Sequence, residues 1–299
     1  MTIGAVEVSM DTEYKTIVCF GDSVTLGIPH VAPEDTFPAL LERRLNWFLG
    51  DAGPRVRTVN SGVGGENTVE ALARFETAVA AYAPDIVTVE FGLNDIRPEP
   101  LKLVERPEFA ANLRRVVDQC RALGAQVILM TPNPIIDKLH RSWGTDTYAE
   151  WGGCNGAVSA YADVVRSVAA ESGTILCDVF STFVEIAVER QFNGECSSYE
   201  DLTCLRDLIS GGDGVHPHDL PEVAVEVVEA ALVHEAVVLR VLAGGGASGE
   251  GIVGERVDGV AVVGADRDGQ RRRVVGVGDG LGDEVGEAVA LQQHHEGLV

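Results

Sequence analysis

Basic side chains are scarce in this sequence: 23 Lys and Arg stand against 46 Asp and Glu in 299 residues, a formal charge of -23. So acidic a chain repels phosphate backbones and anionic lipid surfaces, which argues against nucleic acid or a membrane surface as a partner. Long apolar runs are missing too. No segment reaches the length of a membrane span, and the N-terminal "MTIGAVEVSMDTEYK" lacks the basic region and apolar stretch of a secretory signal. These absences set the expectation of a cytoplasmic protein. The six cysteines (Cys19, Cys120, Cys154, Cys177, Cys196, Cys204) contain no C-x-x-C pair, and several lie in apolar runs, the pattern of reduced, buried thiols. Cys196 and Cys204 differ, lying close together in a polar stretch where a local disulfide or redox pair can form.

Aromatic residues, Cys, Met and Pro are all absent from residues 241–299, which nevertheless carry 15 glycines. With little to bury and a permissive backbone, this segment is expected to be a disordered, Gly-rich tail or a non-native extension. Its "RDGQRRR" reads as a solvated run rather than a basic interaction patch. At the other end, residues 1–15 read as an extension in which Met10 offers an alternative start.

Residues 16–240 are organised differently. Five short apolar runs, "TIVCF" (16–20), "VRTVN" (56–60), "IVTVEF" (86–91), "QVILMT" (126–131) and "TILCDVF" (174–180), suit parallel strands covered on both faces. Between them "FPALLERRLNWFL", "TVEALARFETAVAAY", "EFAANLRRVVDQCRALG" and "GAVSAYADVVRSVAAESG" show helical period, and a fifth helix is expected after Pro221. This alternation predicts an α/β fold, a three-layer α/β/α sandwich around a five-stranded parallel sheet. Ligands of such sheets bind in the loops that leave the carboxyl ends of the strands.

Four polar blocks fall at such positions. Gly21-Asp22-Ser23 follows the first strand and leads into a helix, so Ser23 reads either as a helix cap or as an exposed nucleophile. The glycines of "NSGVGGE" after the second strand let backbone N–H groups approach a ligand, though a flexible turn accounts for them equally. "GLND" after the third strand offers the Asn94 amide as a neutral donor, or a simple turn. Far downstream, "DGVHPH" puts Asp213 three residues ahead of His216. An imidazole base needs such an acceptor to fix its tautomer and stabilise its protonated form.

In order and spacing, "FGDSVTLG" (20–27), "VNSGVGGENT" (59–68), "GLND" (92–95) and "DGVHP" (213–217) resemble the motif blocks of the GDSL or SGNH hydrolases, serine esterases and lipases with a flavodoxin-like sandwich. The resemblance spans roughly residues 16–240. It implies a catalytic triad of Ser23, His216 and Asp213, and an oxyanion hole made by the Ser23 N–H, a glycine N–H and Asn94. Valine follows Ser23 where the family name implies leucine, a conservative change. The glycine donor lies between Gly62 and Gly65, and Gly65 is favoured. The implied reaction is ester hydrolysis through an acyl-enzyme, with a small-molecule ester as partner and neither metal nor cofactor.

Two other readings compete with this one. A metal-dependent phosphoesterase would draw carboxylate, amide and imidazole donors from "GDS", "GLND" and "HPHD", but the chain lacks an Asp-x-His pair upstream, and before the last helix His30, His140, His216 and His218 are its only histidines. A binding module without turnover fits poorly with every proposed catalytic position being filled. For substrate contacts, Trp143, Tyr148 and Trp151 in "PNPIIDKLHRSWGTDTYAEWGGCNGA" read equally as pocket lining or as a satellite core. His140 and Arg141 read as solvated surface ahead of leaving-group contacts. Residues 191–214 are expected to form a lid or rim near His216. The sequence carries no signal for acyl specificity or oligomeric state.

Overall fold

The computed structural model describes residues 14–50, 54–99, 102–195, 202–209 and 212–216. Met10, Cys196, His218, the helix expected after Pro221 and the Gly-rich segment 241–299 lie outside the described residues, as does most of the N-terminal extension.

Five strands form one sheet: β1 (Tyr14–Gly21), β2 (Arg55–Gly62), β3 (Ile86–Glu90), β4 (Gln126–Met130) and β5 (Ile175–Cys177). All pairings are parallel, in the order β2-β1-β3-β4-β5. The register levels their carboxyl ends, because Gly21 pairs with both Gly62 and Glu90, Glu90 with Met130, and Met130 with Cys177. Every loop leaving that edge therefore starts at the same height. The chain turns one way from β1 to β2 and the other way to β3, so the strand order reverses between β1 and β3 and opens the crevice where ligands of such sheets bind.

Seven α-helices are described: α1 (Ser23–Leu26), α2 (Phe37–Leu49), α3 (Thr68–Ala73), α4 (Phe75–Ala78), α5 (Arg106–Ala122), α6 (Cys154–Ser172) and α7 (Val179–Phe192). Strand side chains alternate between two layers. Val18, Phe20, Val87, Val89, Val127 and Leu129 pack in one core with Phe109, Leu113 and Val116 of α5 and Val158, Tyr161 and Val165 of α6. Ile17, Cys19, Ile86, Ile128 and Met130 pack on the opposite face with Leu41 and Leu45 of α2. The expected three-layer sandwich is the observed fold. The thiols of Cys19, Cys120 and Cys154 are buried, and burial pushes each up to about 12.

Two expected elements differ. The helical run 68–82 is broken at Arg74, which leaves helical geometry (φ -105, ψ 5) between α3 and α4. Its guanidinium reaches back to Glu66 and to the carbonyl oxygen of Ser61, contacts that local periodicity does not register. The last apolar run is strand only over Ile175–Cys177. Asp178 ends it as the N-cap of α7, accepting from the Ser181 N–H at 3.1 Å, so the "VF" read as strand is the first turn of a helix the sequence reading missed.

Candidate active site

The turn after β1 places Asp22 at the N-cap of α1, where its Oδ1 accepts from the Val24 N–H at 2.9 Å. Asp22 is 1% exposed. Burial pushes its carboxyl up to about 7, against the pull of the Val24 hydrogen bond. With the cap supplied by Asp22, the Ser23 hydroxyl is left to a different partner: its Oγ lies 2.8 Å from His216 Nε2.

His216 is held from its other side. Nδ1 lies 2.6 Å from Asp213 Oδ2, while Asp213 Oδ1 accepts from the backbone N–H groups of Val215 (2.9 Å) and His216 (3.1 Å). Burial works against ionisation of Asp213, but these donors and the imidazole outweigh it and hold the carboxyl below its usual range. The segment is fastened to the loop after β4, since Ile136 N–H donates to Gly214 O (2.8 Å) and Asn133 Nδ2 to Val215 O (3.0 Å). Gly214 is required there: its φ is +71, and a Cβ would lie 2.7 Å from Ile136 O. On the face of His216 lies a second imidazole, His30, with ring centroids 3.7 Å apart and planes 7° from parallel.

Asn94, in the loop after β3, donates from Nδ2 to Asp22 Oδ2 at 3.0 Å and is itself buried. In the loop after β2, the Gly62 N–H is engaged by Asn60 Oδ1 at 3.1 Å. Gly65 has φ +75, and its carbonyl oxygen accepts from Lys102 Nζ at 2.9 Å. Next to it Glu66, 6% exposed, forms a short ion pair with Arg74, whose guanidinium also donates to Ser61 O (2.9 Å) and stands 4.8 Å over the Phe20 ring. Asp95 anchors the adjoining helix by accepting from the Thr68 N–H (3.0 Å) and hydroxyl (2.6 Å).

A cavity of about 360 Å³ opens beside Ser23, Asn94 and His216. Leu93, Ile96, Ile135 and Val158 give it apolar walls, and Arg97, His140 and Arg141 lie around it. Of the three aromatics expected as substrate contacts, the structure brings only Tyr148 to this cavity. Trp143, 57% exposed, lines a neighbouring cavity of about 210 Å³ that shares Tyr148 and Cys154 with the first. Trp151 packs against the main core under the Arg106 guanidinium, the second of the two readings the sequence left open. His140 and Arg141, read as solvated surface, line the Ser23 cavity, with His140 half-buried and Arg141 ion-paired to Glu99.

The model of the GDSL-like lipase/acylhydrolase family matches residues 19–219. The chain belongs to that family. An acetylxylan esterase of Geobacillus stearothermophilus is 30% identical over 190 residues, 58% of this chain and 79% of that protein. The lipoprotein YqeF of Bacillus subtilis is 29% identical over 181 residues, 58% of this chain and 73% of that one. Among solved structures, a lipase/acylhydrolase from Enterococcus faecalis superposes with a TM-score of 0.54 at 20% identity, over 76% of this chain and 96% of that chain, a likeness of fold. Among the described residues no helix is long and apolar enough to cross a membrane.

Within this GDSL-like chain, four residues singled out from the sequence (Ser23, Asn94, Asp213 and His216) meet at one end of the sheet around the cavity. Gly65 lies in the neighbouring loop and is not among the cavity's lining residues. Of the segment expected as a lid or rim, Leu202, Leu205, Leu208 and Ile209 are buried with Ile136 and Phe183, Phe192 is exposed, and among its described residues Gly212 and Asp213 reach the cavity. His30 was missed as a site residue. Its only signal was a histidine in the loop that follows the GDS turn.

Proposed function

We propose that this protein hydrolyses small carboxylic esters, with Ser23 as nucleophile, His216 as general base and Asp213 as the group that orients His216 and stabilises its imidazolium form. The observation that carries this reading is the continuous hydrogen-bonded row from Ser23 Oγ through His216 (2.8 Å) to Asp213 (2.6 Å) at a cavity with both apolar and charged walls. His216 takes the hydroxyl proton as Oγ attacks the ester carbonyl. The imidazolium then protonates the departing alkoxide, and a water activated by the same ring releases the acyl group from Ser23.

The developing oxyanion needs donors preset where the charge appears. Asn94 Nδ2 has one N–H committed to Asp22, which fixes the amide plane and leaves the other N–H as the donor. The backbone N–H groups of Ser23 and Gly65 complete the set. Gly65 is favoured over Gly62 because the Gly62 N–H is bonded to Asn60.

The direct test is covalent labelling by a fluorophosphonate together with hydrolysis of p-nitrophenyl acetate. Both are expected in the wild-type protein and absent in Ser23→Ala. Turnover that survives in folded Ser23→Ala, or is abolished by a chelator, would remove the serine mechanism.

A further inference from the structure

The mechanism proposed above uses one face of no ring: it needs only the two in-plane nitrogens of His216. Yet His30 covers that ring with its own, at 3.7 Å and within 7° of parallel. Nitrogens of both rings and a carboxylate oxygen of Asp213 lie within 4.8 Å of one another, a grouping able in principle to hold a metal. The stacking argues against it. Imidazole lone pairs lie in the ring plane, so an ion in the plane of one ring stands well out of the plane of a parallel neighbour at this separation. The arrangement suits a ring resting on a ring.

We propose that His30 is a positioning residue for the catalytic base, a neutral imidazole platform that keeps the His216 plane aligned between Ser23 and Asp213 and favours the imidazolium formed during attack. The inference rests on the triad reading. A rotation of the His216 ring about its Cβ–Cγ bond would break both the 2.8 Å contact to Ser23 and the 2.6 Å contact to Asp213, and the stacked ring opposes that rotation. A π face also attracts a cation placed over it, so the platform acts when His216 takes the proton. His30 is fixed through its backbone N–H, which donates to Gly27 O at 2.8 Å.

The platform functions only while it is uncharged, because two stacked cations repel. Among the described residues the titratable groups facing His30 are His216 and Asp213; burial and His216 hold its protonation below the usual imidazole value, while Asp213 pulls the other way. A proton on His30 would therefore remove the platform's attraction for an imidazolium beneath it.

The test compares the full-length wild-type protein with His30→Ala and His30→Phe on p-nitrophenyl acetate, with thermal melting to verify folding. His30→Ala should lower kcat about tenfold with KM within about twofold, as expected for a misaligned base. His30→Phe keeps a flat ring over His216 and carries no proton, so it should recover most of kcat above pH 8. The acid limb of log kcat/KM against pH should be steeper than unit slope in the wild type and of unit slope in His30→Phe. Wild-type kcat and an unchanged acid limb in His30→Ala would overturn the proposal. Ser23→Ala, run alongside, separates the two readings: turnover there removes the triad, whereas its loss beside an indifferent His30→Ala removes only the platform. Should both His30 variants fail to fold, the ring-proton resonances of the wild type decide. His30 ring protons that titrate below the usual imidazole range support the proposal, and a His30 that titrates like an exposed imidazole overturns it.

Discussion

At the scale of single residues, the turn after β1 divides two tasks between neighbours. Asp22 caps α1 and holds Asn94, and the Ser23 hydroxyl remains available to His216. Asn94 is therefore tied to the Ser23 turn as well as facing the cavity. Replacing it with alanine should lower kcat by about 10²- to 10³-fold while KM changes little, the loss typical of one oxyanion donor, measured by steady-state kinetics on a p-nitrophenyl ester. That Ser23, Asn94, Asp213 and His216 gather at one end of the sheet was legible from their places at strand ends and from the resemblance of their four blocks, since Ser23 alone reads equally as a cap and Asn94 as a turn residue. His30 was not legible, because ring stacking leaves no periodicity or spacing in the chain. Trp143 and Trp151 mark the opposite failure: an aromatic in a long loop has the same local sequence whether it lines a cavity or covers a core.

At the scale of elements, the site depends on how closely α1 is laid against β2. A Cβ on Gly62 would lie 2.2 Å from Leu26 N and 2.8 Å from Asp22 O, backbone atoms that cannot turn aside. At Gly64, two residues on, the nearest atom would be Leu26 Cδ2 at 4.0 Å. Gly62→Ala should thus destabilise the protein by about 2 kcal/mol and lower activity by shifting the Ser23 turn, whereas Gly64→Ala should stay within about 0.5 kcal/mol of wild type in denaturant unfolding. Both glycines read alike in the sequence, since close approach is a property of two elements at once. Strands β1, β3 and β4 were legible for the reason that made α7 obscure, whereas the edge strand β2 is mostly exposed or half-buried and not covered on both faces as expected. Burial on both faces writes a strand as an unbroken apolar run, and "TILCDVF" continues that run across the Asp178 cap into a helix. Likewise the break at Arg74 lies inside uninterrupted helical period, its cause being the distant Glu66 and Ser61.

At the scale of the whole molecule, carboxyl groups buried beneath the active-site edge set the dependence of stability on pH. Burial first, and then the charge of Asp22, pushes Glu90 from 4.5 up to about 8; Asp22 rises from 3.8 to about 7. Between about pH 4.5 and 8 the folded state keeps protons that the unfolded chain releases, so stability falls as pH rises through that window. Asp213, Asp178 and Asp85 are held below their ordinary values, and their contribution is lost only as pH falls below about 4. Glu90→Gln retains an acceptor for the Thr25 hydroxyl, which now donates to Glu90 Oε2 at 3.1 Å, and removes the titration. It should raise Tm by about 5 °C at pH 8.5 and change it little at pH 5, as read from thermal melts at the two pH values. A run of parallel strands announces the architecture, but it does not announce which of 46 acidic side chains the fold encloses.

The hydrogen bond between Ser23 and His216 joins residues 193 positions apart, with four of the five strands lying between them in the chain. On the proposed mechanism, synthesis delivers Ser23 early and His216 among the last residues of the described fold, so a growing chain would carry an inert serine until the loop with His216 packs against it. Catalysis by this route would then be timed to the completion of folding, and a proteolytic fragment that stops short of residue 213 is expected to be inactive on esters.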